Sequence, residues 1–189
     1  MKRNYGFTLI ELMVTLVVAV ILVVIAVPGF RTIIQNNRAS TQANELLSAM
    51  TLARSEAIKR GTNVSVCSST NQSTCAASTT WSTGWIVFVD INNNGTFDDD
   101  ADASLCEVDV ANLPIEDCIL RTKNALDANS TLVSTSNDVR YLPTGLVTAA
   151  AANTIITMTL TPTPCKGKNI QTVTINATGR ANSVPTNCP

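Results

Sequence analysis

Hydrophobic and polar positions divide the chain into three regimes. From Phe7 to Val27 every residue is apolar except Thr8, Thr15 and Glu11. A run of this length predicts a membrane-spanning helix, because about 20 apolar residues at ~1.5 Å of rise each cross the hydrocarbon of a bilayer. In the second regime Phe30, Ile33 and Ile34, then Ala43, Leu46, Leu47, Met50, Ala53, Ala57 and Ile58, recur at helical spacing around the polar residues 35–38 and 40–42. Glu56 and Arg60 form an i,i+4 pair, Lys59 and Arg60 suit the negative end of a helix, and Gly61 supplies the stop. One long helix to about residue 60, bent or broken near Pro28, is therefore predicted.

The third regime has strand character. Val64–Cys67 alternates, Trp85–Val89 is a short continuous apolar run, and Thr154–Leu160 and Ile170–Ile175 carry β-branched residues at period two. Loops rich in Ser, Thr, Asn and Ala separate them, including residues 68–83 and 148–153. One helix followed by several strands predicts an α+β fold in which a long N-terminal helix packs on an antiparallel sheet.

Composition narrows the function. With 189 residues, the chain has room for one anchor and one modest domain with its own core. Lys and Arg number 13 against 14 Asp and Glu, which argues against a general nucleic-acid binder. The absence of histidine removes the commonest general base, and neither a GxSxG elbow nor a P-loop occurs, so an enzyme is not expected. All six cysteines, Cys67, Cys75, Cys106, Cys118, Cys165 and Cys188, follow the apolar segment. In an exported domain an even count reads as disulfides; a zinc cluster is the weaker alternative, since there is no Cys-x-x-Cys pair. Nearest-neighbour pairing is preferred because each pair brackets a loop-like segment, although the sequence leaves other connectivities open.

Glu11 is the anomaly of the apolar run. A carboxylate within a membrane helix costs on the order of 3 kcal/mol by insertion scales, so it calls for a partner. No small-residue cleavage site follows the apolar core, as a secretory signal peptide would require; the small residue, Gly6, precedes it. Cleavage between Gly6 and Phe7 would create an α-amine one helical turn from Glu11, a counter-charge for it in the same chain or a neighbour.

The string Gly6-Phe7-Thr8-Leu9-Ile10-Glu11-Leu12-Met13 resembles the leader and N-terminal methylation motif of type IV pilins and type II secretion pseudopilins. The resemblance implies cleavage after Gly6 and methylation of Phe7 by a prepilin peptidase/N-methyltransferase. It also implies a role for Glu11 in registering subunits within a filament. Residues 44–47 and 53–61, Gly84–Asp90 and Thr178-Gly179-Arg180 further resemble the GspH/FimT (FimT/FimU-like) family of minor pilins and pseudopilins. The implied organisation is a leader over residues 1–6 and a transmembrane or filament-core helix half over 7–28. An amphipathic helix half over 29–61 and a β-rich domain with a disulfide-closed tail over 62–189 follow. The implied function is that of a minor type IV pilin in pilus assembly or initiation, serving twitching motility, adhesion or natural transformation. Other pilins are the implied partners. Residence would be in the bacterial inner membrane with the C-terminal domain in the periplasm, then in the extracellular filament. A minor pseudopilin of a type II secretion system is the alternative, and a pilus-borne DNA receptor is a third reading.

Two further constellations carry expectations. Asp90, Asn92, Asn94, Thr96 and Asp98 have the spacing of the first half of an EF-hand loop, which makes calcium the candidate ion, no other cofactor being expected. The twelfth position is Ala101 rather than glutamate, with Asp100 and Asp102 as substitutes only in a different geometry; the competing reading is a solvated turn at Asn94-Gly95. In the tail, Lys166, Lys168 and Arg180 are candidates for a small phosphate-binding patch for DNA. Related DNA-capturing members carry Gly-Arg-x-Arg, whereas Asn182 stands at the second arginine here; the competing reading is solvated charge on hairpin loops. Trp85 is expected in the core, and Trp81 is undecided between core and an exposed platform.

Overall fold

The computed structural model describes residues 8–98, 106, 116–127, 129–148 and 155–189. The processing positions Gly6 and Phe7, and Asp100 to Asp102 of the acidic loop, lie outside the described residues. Helix α1 runs unbroken from Leu9 to Arg60, so of the bend or break expected near Pro28 the break does not occur. The chain divides into two compact units, Met1–Asn37 and Arg38–Pro189.

In the first unit, the 19 residues Leu9–Val27 are long and apolar enough to cross a membrane, and none of them is buried. Phe30, Ile33 and Ile34, expected to begin the packed stripe, are also exposed. Helical spacing alone does not separate a face that packs within its own domain from one that must find an external partner.

In the second unit, Ala39, Ala43, Leu46, Ala49, Met50, Ala53 and Ala57 of α1 are buried at alternating four- and three-residue steps, with Ala49 beside them. Five of the seven are alanines, which bring the helix backbone close to its neighbours. Leu46 and Met50 supply the bulk, each contributing about 2 kcal/mol by burial. Ile58, expected on this face, is instead half-exposed, and Leu47 is only partly buried. The helix closes as the sequence indicates: Gly61 adopts a positive φ of 66° and its N–H donates to the Ala57 carbonyl at 3.0 Å. Arg60 Nε donates to Glu56 at 2.6 Å, and this bond is the main reason the Glu56 carboxyl sits below its ordinary range.

Among the described residues nine strands follow: β1 (Val64–Ser68), β2 (Trp85–Val89), β3 (Cys118–Lys123), β4 (Ser130–Ser134), β5 (Asp138–Tyr141), β6 (Val147–Thr148), β7 (Ile156–Pro162), β8 (Ile170–Ile175) and β9 (Ala181–Thr186). They form two antiparallel sheets rather than the single one expected, ordered β3-β2-β1-β5-β6 and β4-β7-β8-β9. Every residue of β1 and β2 is buried, which is why Trp85–Val89 reads as unbroken apolar sequence. Val64, Val66, Trp85 and Val87 join the helix stripe and the inward residues of β7 and β8 in one core. Cys67, Ile86 and Phe88 form a second cluster, where the Phe88 and Phe97 rings meet edge to face at 5.5 Å. The three disulfides are Cys67–Cys75, Cys106–Cys118 and Cys165–Cys188, the nearest-neighbour pairing.

Candidate functional site

The assembly segment starts with a helix cap. Thr8 Oγ1 accepts the backbone N–H of Glu11 at 3.3 Å, and the Thr8 carbonyl accepts that of Leu12 at 3.2 Å. Thr8 thus stands at the N-cap and Glu11 at the third helical position, the Thr-x-x-Glu spacing of a capping box. The acid also lies in the first turn, where the helix dipole favours negative charge. The cap itself uses the Thr8 hydroxyl and the Glu11 backbone N–H, while the Glu11 carboxylate keeps the intersubunit role as an expectation. Thr-x-x-Glu before an apolar run was the available signal, and it is masked by the surrounding hydrophobicity.

The Asp90–Asp98 segment forms a single loop that closes on its own hydrogen bonds. Asp90 is fully buried; it accepts the N–H of Asn94 at 3.1 Å, that of Gly95 at 3.0 Å, and the hydroxyl of Ser65. Asn92 Oδ1 accepts the Asn94 N–H at 3.0 Å, and Asn94 Oδ1 accepts the Thr96 N–H at 2.7 Å. With their oxygens so engaged, both side-chain amides turn their Nδ2 donors to Asp98 Oδ2, at 3.3 Å from Asn92 and 2.7 Å from Asn94. Those donors hold the Asp98 carboxyl below its ordinary range. A cation at Asp98 would meet amide N–H groups rather than the oxygens a hard ion requires. Among the described residues no three His, Cys, Asp or Glu side chains converge on a metal-sized site.

A second carboxylate, which the sequence reading did not single out, braces the same loop. Asp117 accepts the N–H of Ile91 at 2.9 Å and that of Asp98 at 3.0 Å. Its burial, followed by the charges of Asp90 and Asp98, pushes its carboxyl up despite those two bonds. Arg140 of β5 adds a bond from Nη1 to the Asn93 carbonyl at 2.9 Å. Nothing in the local pattern around residue 117 marks it, because its partners are 19 to 26 positions away.

The tail cations are not brought together. Lys166 and Lys168 precede β8 and Arg180 follows it, so the six residues Ile170–Ile175 place them roughly 17 Å apart along the strand. No single phosphate spans that distance. Arg180 instead lines a small cleft of about 160 Å³ with Thr51, Arg54, Gly179 and Ala181. Arg54, absent from the sequence candidates, donates from Nε to the Gly145 carbonyl at 3.1 Å. Trp81 and Trp85 are both core residues, and the Trp81 indole N–H donates to the Ser136 carbonyl at 3.1 Å.

Comparison with known proteins accords with this architecture. The family model of the type II transport protein GspH matches residues 42–179, and that of the prokaryotic N-terminal methylation motif matches residues 1–27. Among solved structures, the type IV minor pilin FimU of Pseudomonas aeruginosa is similar at 16% identity and a TM-score of 0.51, covering 79% of this chain and 90% of FimU. The minor pseudopilin EpsH of the Vibrio cholerae type 2 secretion system is similar at 14% identity and a TM-score of 0.46, covering 78% of this chain and 97% of EpsH. No curated protein matches. With the GspH model spanning most of its length and the methylation motif at its head, the chain belongs to the GspH family of minor pilins and pseudopilins.

Proposed function

We propose that this protein is a minor type IV pilin, a low-abundance subunit that enters a pilus through its N-terminal helix and helps initiate the filament. The observation that carries the reading is that no residue of the apolar helical stretch Leu9–Val27 is buried. Each Leu, Ile or Val in that segment gains about 1.5–3 kcal/mol when removed from water. Lipid supplies that burial first, and packing against the helices of other subunits supplies it once the chain leaves the bilayer. Family membership supports both assembly with other pilin-like subunits and processing at the methylation motif. The basic pair Lys2 and Arg3 favours a cytoplasmic start, and three disulfides suit a domain on the periplasmic side.

A pseudopilin of a type II secretion system is the second reading, favoured by the description of the matching family model. Deleting the gene and scoring surface pili against secreted enzymes separates the two. Loss of pili with normal secretion is expected; normal piliation with failed secretion would transfer the protein to the secretion machine.

A further inference from the structure

Each of the two sheets has two outer edges, and three of the four are blunted. Residues 79–82 run along β4, with Trp81 N–H on the Leu132 carbonyl and Ser134 N–H on the Thr79 carbonyl, each at 2.8 Å. Strand β6 has only two residues, and its Val147 N–H is taken by the Ala177 carbonyl at 3.1 Å. Strand β9 carries Pro185, which has no N–H to offer. Strand β3 is different: among the described residues its backbone pairs only with β2, and Cys106 is tied to its first residue, Cys118, by the disulfide alone.

The same strand borders a cleft of about 390 Å³. Its floor includes the buried Trp85, and Asn44, Glu45 and Ser48 of α1 face Arg121 and Lys123 of β3 across it. Charge is unbalanced there. Lys123 is paired with Glu45 at 2.7 Å, whereas Arg121 has only a neutral bond, Nη1 to Ser48 Oγ at 3.0 Å, and no carboxylate partner among the described residues. An open strand edge offers backbone donors and acceptors to an extended chain, and an unpaired guanidinium beside it selects for acid.

We infer that the cleft between α1 and the free edge of β3 is a docking site for an extended, acidic peptide segment of a partner subunit, which adds to the sheet beside β3 and places a carboxylate on Arg121. The inference shares with the proposed function only the idea that this chain meets other subunits, and it is tested without a filament. The competing account is that Arg121 and Lys123 merely keep an edge from pairing with other edges.

The test uses the full chain in detergent micelles and fluorescence anisotropy of a labelled, end-blocked peptide alternating threonine with glutamate. Two companions are a version with lysine in place of glutamate and a version with alternate backbone nitrogens methylated. The glutamate peptide should bind at least about tenfold more tightly than either companion, a difference of ~1.4 kcal/mol. Arg121→Gln and Arg121→Glu should weaken binding by about tenfold or more, and Glu45→Gln should strengthen it by freeing Lys123. Circular dichroism verifies that the variants are folded. Equal binding of the methylated peptide would reduce the site to charge capture and overturn strand addition. No binding of the glutamate peptide, or binding unchanged in both Arg121 variants, would overturn the site itself, with the pilin reading left intact.

Discussion

Gly179 lies against the carbonyl of Gly145 so closely that a Cβ on Gly179 would stand 2.1 Å from that oxygen. Both glycines have positive φ, 75° and 77°, and the same Gly145 carbonyl accepts the bond from Arg54 Nε. The Thr178-Gly179-Arg180 string is therefore first a packing device: it seats the β8–β9 hairpin on the loop that α1 grips through Arg54. Whatever Arg180 does, its backbone is placed by this contact.

Gly179→Ala should accordingly cost more than a positive-φ glycine alone. Gly167 serves as the control, since it has φ of 65° but nothing within 4 Å of its would-be Cβ. Gly167→Ala is expected to lower stability by about 1 kcal/mol, and Gly179→Ala by roughly 3 kcal/mol or more, because backbone must also move. Thermal unfolding of both variants in the same detergent checks the difference; equal losses would mean that the Gly145 carbonyl yields freely.

Asp117 gives a pH signature of definite sign. Its folded-state pKa is raised above the ordinary 3.8, chiefly by burial, so its contribution to stability is full below that ordinary value and is lost as pH rises through the raised one. Glu56 and Asp98, whose values are lowered, act in the opposite sense: their contributions are present above the ordinary carboxylate range and are lost as pH falls through the folded values. Comparing wild type with Asp117→Asn isolates one group from the others. The variant loses an acceptor for Ile91 or Asp98, a constant cost of about 1 kcal/mol, so the informative quantity is the change with pH. Wild type should gain on the variant as pH falls from neutrality toward 3.8. A urea-unfolding series over that range checks it, and a difference independent of pH would remove Asp117 as a titrating brace.

Much of the fold could be read from the chain because its signals are local. The Arg38–Arg60 half of α1 announces itself by alanine and leucine spacing, Gly61 by its position after Lys59 and Arg60, and β2 by unbroken apolar sequence. Strands β3, β5 and β9 were not legible. Cys-Ile-Leu-Arg-Thr-Lys, Asp-Val-Arg-Tyr and Ala-Asn-Ser-Val-Pro-Thr are short or polar, and only their partners across the sheet hold them extended. The sites divide the same way. Glu11 stands out within an apolar run, whereas the separation of Lys168 from Arg180 by β8, and the meeting of Arg54 with Gly145 across 91 positions, exist only after folding. Trp81 was ambiguous for the same reason: its neighbours in sequence are Ser and Thr, and its neighbours in space are the core.

The Asp90–Asp98 loop predicts little response to calcium. Its closure relies on Asn92 and Asn94 amides directed at Asp98, and an ion there would require both to turn over, sacrificing the bonds from the Asn94 and Thr96 N–H groups. The unfolding temperature should therefore be unchanged when millimolar calcium replaces an equal ionic strength of sodium chloride. A calcium-specific rise of several degrees would show that the loop rearranges into an oxygen cage, and Asp98→Asn should then abolish the rise.

The cap at Thr8 makes it possible to separate helix starting from the charge of Glu11. If the acid matters because its charge meets the α-amine of a neighbouring subunit, then Glu11→Gln should fail in assembly although it keeps the side chain's length and polarity. Thr8→Val, which removes the acceptor of the 3.3 Å bond from the Glu11 N–H, would cost the helix end about 1 kcal/mol and leave the charge in place. Within a membrane or filament of more than a dozen apolar residues per helix, that loss is small, so Thr8→Val should enter filaments at near wild-type level. The expected result is thus membrane insertion for both variants, incorporation for Thr8→Val and severe loss for Glu11→Gln, measured as the subunit's share in sheared filaments relative to the membrane fraction. The opposite outcome, normal incorporation of Glu11→Gln with failure of Thr8→Val, would make Glu11 a helix-starting residue and remove its charge from the register of the filament.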